Sequence, residues 1–226
     1  LVSSSAASDV YKRQPVTTSL EGKSAFPENH PLSLGSGGRS MPHTVHEFLQ
    51  NSDVIFGIGC SFTSTNFGVT MPKGKTIVHA TLDPMDLNKN QVSQYALVGN
   101  AALTLDALIA EMKAQGQTPP NTSAVEKEIA DMKAAWMAEW MPKLTCPNAP
   151  LNPYRVLWDL NNTVDRPNTI ITHDAGSPRD QISPFWESIT PLSYIGWGKT
   201  TQLGYGLGLA MGCLLYTSPS PRDRYI

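Results

Sequence analysis

Two periodicities organise the chain. Short continuous apolar runs bounded by turn residues read as buried strands, and apolar residues three or four apart read as helices. Residues 15–18 make a short β-rich start. Residues 44–51 predict a helix with Val45, Phe48 and Leu49 at helical spacing. Residues 53–58 (DVIFGI) predict a buried strand closed by Gly59. Residues 76–82 (TIVHATL) predict a second strand, ended by the turn signal Asp83-Pro84. Residues 101–113 then predict a helix with Leu105, Leu108, Ile109 and Met112 on one side. Strands alternating with helices imply an α/β fold, a parallel sheet with helices on both faces.

Residues 115–121 (QGQTPPN) read as a linker. Residues 123–141 predict an amphipathic helix whose stripe is Val125, Ile129, Met132, Trp136 and Trp140, widened by Met137 and Met141. That stripe is packing surface. Residues 142–150 hold three prolines and read as a second connector and a domain boundary. The pattern then restarts. Residues 153–160 predict a helix with Pro at its first turn, and residues 169–173 a strand. Ser177-Pro178-Arg179-Asp180 predicts a helix start capped by Ser177. Residues 194–199 predict a short strand or loop, and residues 202–212 a Gly-rich helix. Gly204, Gly208 and Gly212 share one face of it, so that face is expected to lie against another backbone or a ligand.

The chain has 226 residues, 40% of them hydrophobic and 16% charged, which is ordinary for a folded globular chain. Its formal charge of -2 gives no electrostatic case for nucleic acid or an anionic membrane as partner. Its three Cys lack metal-ligand spacing, and no apolar run is long enough to span a bilayer. The ends behave differently from the rest. Asp9-Val10-Tyr11-Lys12-Arg13-Gln14 can be written GAT GTG TAT AAG AGA CAG, and the reverse complement, read one base on, encodes Cys-Leu-Leu-Tyr-Thr-Ser, the sequence from Cys213 to Ser218. Inverted copies at both ends read as translated sequencing adaptor. Residues 1–14 and 213–226 are therefore expected to be artefact, and the natural gene to be cut on both sides.

Three motifs carry candidate chemistry. Gly57-Ile58-Gly59 after a strand, with Asp83 at the end of the next, imitates a dinucleotide fingerprint, although Phe62 stands where the third Gly should be. A tight strand-to-loop turn explains the same residues. His173-Asp174-Ala175-Gly176-Ser177-Pro178 joins a strand end to a helix start, where open α/β sheets bind ligands and free amides favour phosphate. Thr200-Thr201-Gln202-Leu203-Gly204-Tyr205-Gly206-Leu207-Gly208 is either a ligand-facing helix start or a packing seam. No GxSxG elbow anchors a hydrolase triad. Cys60 reads as a small buried hydrophobe, and the His residues show no metal pattern.

Taken in order, these stretches resemble a known family. Residues 15–35 (PVTTSLEGKSAFPENHPLSLG) are similar to the "PV-T-GKGAFPE-HPL-LG" stretch in the middle domain of thiamine-diphosphate-dependent enzymes. Residues 51–62 (NSDVIFGIGCSF) resemble that domain's "NADL-L-VG-RF" strand, and residues 83–90 (DPMDLNKN) its "IDPAEIGKN" turn. Residues 169–212 resemble the start of the domain that binds the cofactor's diphosphate. The nearest group is the acetolactate synthases.

The resemblance implies a middle Rossmann-like domain at residues 15–114, a linker with an amphipathic helix at 115–150, and the front of the diphosphate-binding domain at 151–212. It implies an enzyme that decarboxylates a 2-oxo acid on thiamine diphosphate and transfers or releases the two-carbon unit. Asp174, Gly176, Ser177, Thr201, Gln202, Leu203 and Gly204 are the implied cofactor-binding residues. Gly176 and Ser177 fall where the family's loop meets the diphosphate, with Ser-Pro replacing the frequent Gln-His. Leu203 falls where an apolar residue wedges between the cofactor's two rings, and Thr201 replaces the usual Gly whose carbonyl receives the aminopyrimidine. The activating Glu and the Mg²⁺ ligands are expected outside this chain, so no catalytic or metal residue is assigned and the chain alone is expected to be inactive. FAD binding is open, because residues 61–65 replace the family's "RFDDR" with Ser-Phe-Thr-Ser-Thr. The parent is expected to be a cytoplasmic homodimer or homotetramer acting on a small 2-oxo acid. Two other readings remain at this point: a nicotinamide-dependent oxidoreductase using Gly57, Gly59 and Asp83, and a non-catalytic nucleotide-binding domain.

Overall fold

The computed structural model describes residues 14–196 and 202–217. The chain runs β1 (Val16–Ser19), β2 (Ser33–Gly37), α1 (His43–Asn51), β3 (Val54–Ile58), β4 (Thr76–Thr81), β5 (Tyr95–Val98), α2 (Ala101–Ala114), α3 (Ser123–Leu144), α4 (Pro153–Thr163), β6 (Ile171–Thr172), α5 (Ser177–Ile182), β7 (Tyr194–Ile195) and α6 (Tyr205–Thr217). All strand pairing among the described residues is parallel: β1 with β2, β3 with β4, β4 with β5, and β6 with β7. The α/β character with a parallel sheet is as the alternation predicts. No helix among the described residues is long and apolar enough to cross a membrane.

Two apolar clusters hold the chain. Leu32, Leu34, Val45 and Ile129 form the first, with Phe48, Leu49 and Val125 packed around them, so α1 and α3 both lie on β2. Ile129 and Val125 belong to the predicted α3 stripe. Lower on the same helix, Trp136 stacks on Phe185 with ring centres 4.8 Å apart, and Trp140 meets Tyr154 at 5.1 Å. The second cluster is Ile171, Ile182, Trp186 and Tyr194, which seats α5 against β6 and β7.

Several boundaries differ from the pattern. β2 has no hydrophobic alternation and escapes a periodicity reading. Its small residues are needed for close packing, since a Cβ on Gly37 would fall 2.5 Å from the Val69 side chain. β3 reads as buried but is only half-buried, with Val54 exposed. It is an edge strand, and only β4 is flanked on both sides. α3 does not stop at Met141. It continues through Pro142 to Leu144, whose full burial holds the last turn in place. Ser177 does not cap α5. The cap position is Gly176, at φ 78° and ψ -140°, and Ser177 is the first helical residue.

A buried ionic seam ties the two clusters together. The Lys23 ammonium lies 2.5 Å from Glu28 Oε2, and both side chains are almost fully buried. Burial pulls the Lys23 pKa down against the attraction of Glu28. The Ser36 hydroxyl donates to Glu28 Oε1, and the Ser188 amide donates to Glu28 Oε2 at 2.7 Å. The Glu28 amide in turn donates to the Ser188 carbonyl at 2.8 Å. Residues 160 positions apart are thus locked side by side.

Candidate functional site

The site forms where β6 ends. The peptide leaves Thr172, passes His173 and Asp174, and turns at Gly176 into α5. A positive φ at Gly176 permits this turn, a conformation that L side chains rarely adopt. The second wall is the start of α6. The Asp174 carboxylate accepts from the Gly204 amide at 3.0 Å and from the Gly206 amide at 2.9 Å. These amides, Gly206 foremost, hold the Asp174 carboxyl below the ordinary carboxylate range. The Thr172 hydroxyl donates to the Gly206 carbonyl at 2.8 Å. Loops 174–177 and 202–206 are therefore neighbours at one carboxyl end of the parallel pair.

His173 supports the turn from below. Its Nδ1 lies 2.8 Å from the Asp174 carbonyl, which can only accept, so Nδ1 carries the proton and Nε2 a lone pair. That Nε2 is buried without a partner among the described residues. Burial lowers the His173 pKa and keeps the ring neutral, while the bond to Asp174 opposes the shift. The ring packs 5.1 Å from Tyr194, whose own pKa burial drives upward.

The implied site residues are distributed as follows. Asp174, Gly176, Ser177, Leu203 and Gly204 come together, with Gln202 exposed at the same edge. Thr201 lies outside the described residues. Gly176 and Gly204 both have positive φ and nothing within 4 Å of where a Cβ would stand, so both backbones face open space. Leu203, next to Gly204 in the chain, is 78% exposed. Gly208 and Gly212 also face open space, so of the two expectations for their face, another backbone or a ligand, the backbone is not what lies against it. The residue under close approach is Gly206, where a Cβ would fall 2.8 Å from the His173 carbonyl carbon. Sequence spacing singled out every fourth glycine and so passed over Gly206. The alternation Gly204, Gly206, Gly208 was the available signal.

The competing fingerprint is filled by its own chain. A Cβ on Gly57 would fall 2.2 Å from the Phe62 ring, and Phe62 also meets His79 edge-on. No helix follows β3, so no helix N-terminus faces Gly57 and Gly59. Asp83 spends its carboxylate on the Met85 amide, capping a short 3₁₀ turn. In the stretch standing for "RFDDR", Ser61 and Thr63 bond each other and the Ser64 amide bonds Asn90. No group of three His, Cys, Asp or Glu among the described residues could hold a metal ion.

Comparison with known proteins adds a lineage to this geometry. Residues 12–108 match the family described as "Thiamine pyrophosphate enzyme, central domain". The chain is 31% identical over 213 residues to a probable acetolactate synthase large subunit of Methanocaldococcus jannaschii, covering 88% of this chain and 34% of that protein. It is 28% identical over 211 residues to the corresponding Methanococcus aeolicus protein, covering 88% of this chain and 35% of that one. It is 26% identical over 207 residues to the acetolactate synthase isozyme 3 large subunit of Escherichia coli, covering 88% and 34%. The chain thus spans about a third of the length of the curated relatives it matches.

Proposed function

We propose, from the match of residues 12–108 to the thiamine pyrophosphate enzyme central domain, that this chain is part of an acetolactate synthase-like enzyme whose cofactor diphosphate lies between loops 174–177 and 202–206. Residues 15–114 would be the central domain, residues 115–150 the connector, and residues 151–212 the front of the diphosphate-binding domain. The parent would decarboxylate a small 2-oxo acid, transfer or release the two-carbon unit, and work as a homodimer or homotetramer. The exposed Leu207 and Met211 on α6, with Leu203 just before it, suit an assembled parent, because they leave apolar surface to be covered.

The observation that carries this reading is the pair of open glycines. Gly176 and Gly204 each present bare backbone to open space, from two loops that Asp174 bonds together. A phosphate can approach such bare backbone closely, and the Gly176–Ser177 side is the one left to receive it, because the Gly204 and Gly206 amides are donated to Asp174. The residues present therefore fit the diphosphate end of the cofactor. Leu203, apolar and exposed at the rim, fits a wedge against a ring system. Ser177 and Gln202, both exposed, would donate side-chain hydrogen bonds. Thiamine diphosphate, when bound, supplies an acidic carbon that adds to the 2-oxo carbonyl and an electron sink for loss of carbon dioxide. Asp174 has a separate task. Its carboxylate fixes the Gly204 and Gly206 amides, so the cradle is rigid before anything binds. Mg²⁺ would bridge diphosphate oxygens to hard oxygen ligands, and we assign none of these in the described residues.

Calorimetric titration with thiamine diphosphate tests this. Saturable binding is expected, lost in Gly204→Val, while acetolactate formation from pyruvate by this chain alone stays at background. Saturable binding of a nicotinamide dinucleotide, abolished by Gly57→Val and indifferent to Gly204→Val, would contradict it.

A further inference from the structure

A second cavity, of about 240 Å³, lies where β2, α3, α4 and residues 183–187 meet. None of residues 174–177 or 202–206 lines it. Five charged side chains do: Lys23, Glu28, Lys133, Arg166 and Glu187. Four are paired, Lys23 with Glu28 at 2.5 Å and Arg166 with Glu187 at 2.8 Å. Lys133 stands apart. Its ammonium makes one long bond, 3.4 Å, to the Glu28 carbonyl, and has no carboxylate partner among the described residues. An ammonium carries three donors, and a half-buried one left with a single weak bond is costly. Burial accordingly lowers the Lys133 pKa, while Glu187 and Glu28 hold it up. The Arg166 fork commits Nη1 to Glu187 and keeps further N–H groups for another acceptor.

The rest of the lining is mixed: Ser36, Thr44, Asn161 and Ser183 are polar, and the larger side chains are apolar. Leu34, Trp136, Met137, Pro184 and Phe185 face the same space. One uncompensated positive charge beside aromatic and aliphatic walls selects a single negative charge with an apolar tail. The volume equals that of roughly eight liquid waters at ~30 Å³ each, which bounds the ligand to a comparable number of heavy atoms. We propose that this cavity binds a small organic monocarboxylate, its carboxylate against Lys133 and its tail against Trp136 and Phe185. Inorganic phosphate satisfies the charge but leaves the apolar wall uncovered. Because β2 and α3 supply one side and α4 with residues 183–187 the other, the bound carboxylate pins the two halves together, next to the Glu28 seam. This site is independent of the diphosphate cradle, and neither proposal falls with the other.

Butyrate is the probe. The whole chain is titrated calorimetrically with sodium butyrate at constant ionic strength, and nuclear Overhauser contacts are recorded from the butyrate methyl. Saturable binding is expected, with contacts to the Trp136 and Phe185 rings. Lys133→Gln, checked for native circular dichroism, should weaken binding by about tenfold or more, the worth of a charged hydrogen bond. Absence of saturation overturns the proposal. So do methyl contacts to rings that do not line the cavity, an unchanged affinity in folded Lys133→Gln, or equal affinity for inorganic phosphate, which would mark an adventitious ion only. If Lys133→Gln does not fold, the methyl contacts in the unaltered chain decide alone.

Discussion

At the scale of single residues, the site rests on two neighbouring groups whose pKa values are both lowered, His173 by burial and Asp174 by backbone amides. His173 is buried neutral, below its ordinary value of 6.5. As pH falls, the unfolded chain takes up that proton first, so stability is complete above about 6.5 and declines below it. Asp174 is held below its ordinary 3.8 by the Gly206 and Gly204 amides. Its stabilising contribution is present above that value and is lost as pH falls further, through the folded pKa. Urea unfolding midpoints measured from pH 8 to pH 3 should therefore drop in two stages. His173→Gln should flatten the first stage and keep the second. A first stage unaltered by that substitution would show that His173 is not buried as described. The sequence marked the His173 to Ser177 turn by its Gly and Pro. It could not show that Asp174 reaches across to Gly204 and Gly206, because that bond spans 30 residues and depends on how β6 and α6 approach.

Among the elements, α6 separates two kinds of glycine that look alike in the sequence. Gly206 lies against the His173 backbone, and an added Cβ there meets atoms that cannot swing aside. Gly208 faces open space one helical step on. Gly206→Ala should lower stability by about 1–3 kcal/mol through overpacking. Gly208→Ala should raise it by up to about 1 kcal/mol, the helix propensity gained. Paired chemical denaturation checks both, and equal effects would contradict the packing. The same scale shows what periodicity can and cannot carry. α1, α2, α3 and β4 are visible because one face of each meets a core, so apolar residues recur at fixed spacing. β2 is invisible because its neighbours demand small residues, such as Gly37 under Val69. Likewise α3 runs past Met141 because Leu144 is fully buried, which outweighs the helix-breaking tendency of Pro142.

For the whole molecule, the Glu28 seam joins what the sequence divided into separate domains. Removing its carboxylate strands the Lys23 ammonium and the Ser188 amide. Glu28→Ala should cost about 3–5 kcal/mol, as for other buried pairs broken on one side, and Lys23→Met with Glu28→Met together should restore most of it. Denaturant midpoints check this, and additive losses in the double variant would contradict it. The family motif was legible at Lys23 and Glu28, but its partner at Ser188 lies too far along the chain for spacing to reveal. The central claim concerns the cradle between loops 174–177 and 202–206, and backbone amide chemical shifts during titration with thiamine diphosphate test it most directly. The account predicts that the largest shifts fall on Gly176, Ser177, Gly204 and Gly206. Shifts centred instead on Gly57, Gly59 and Asp83, or none that saturate, would contradict it.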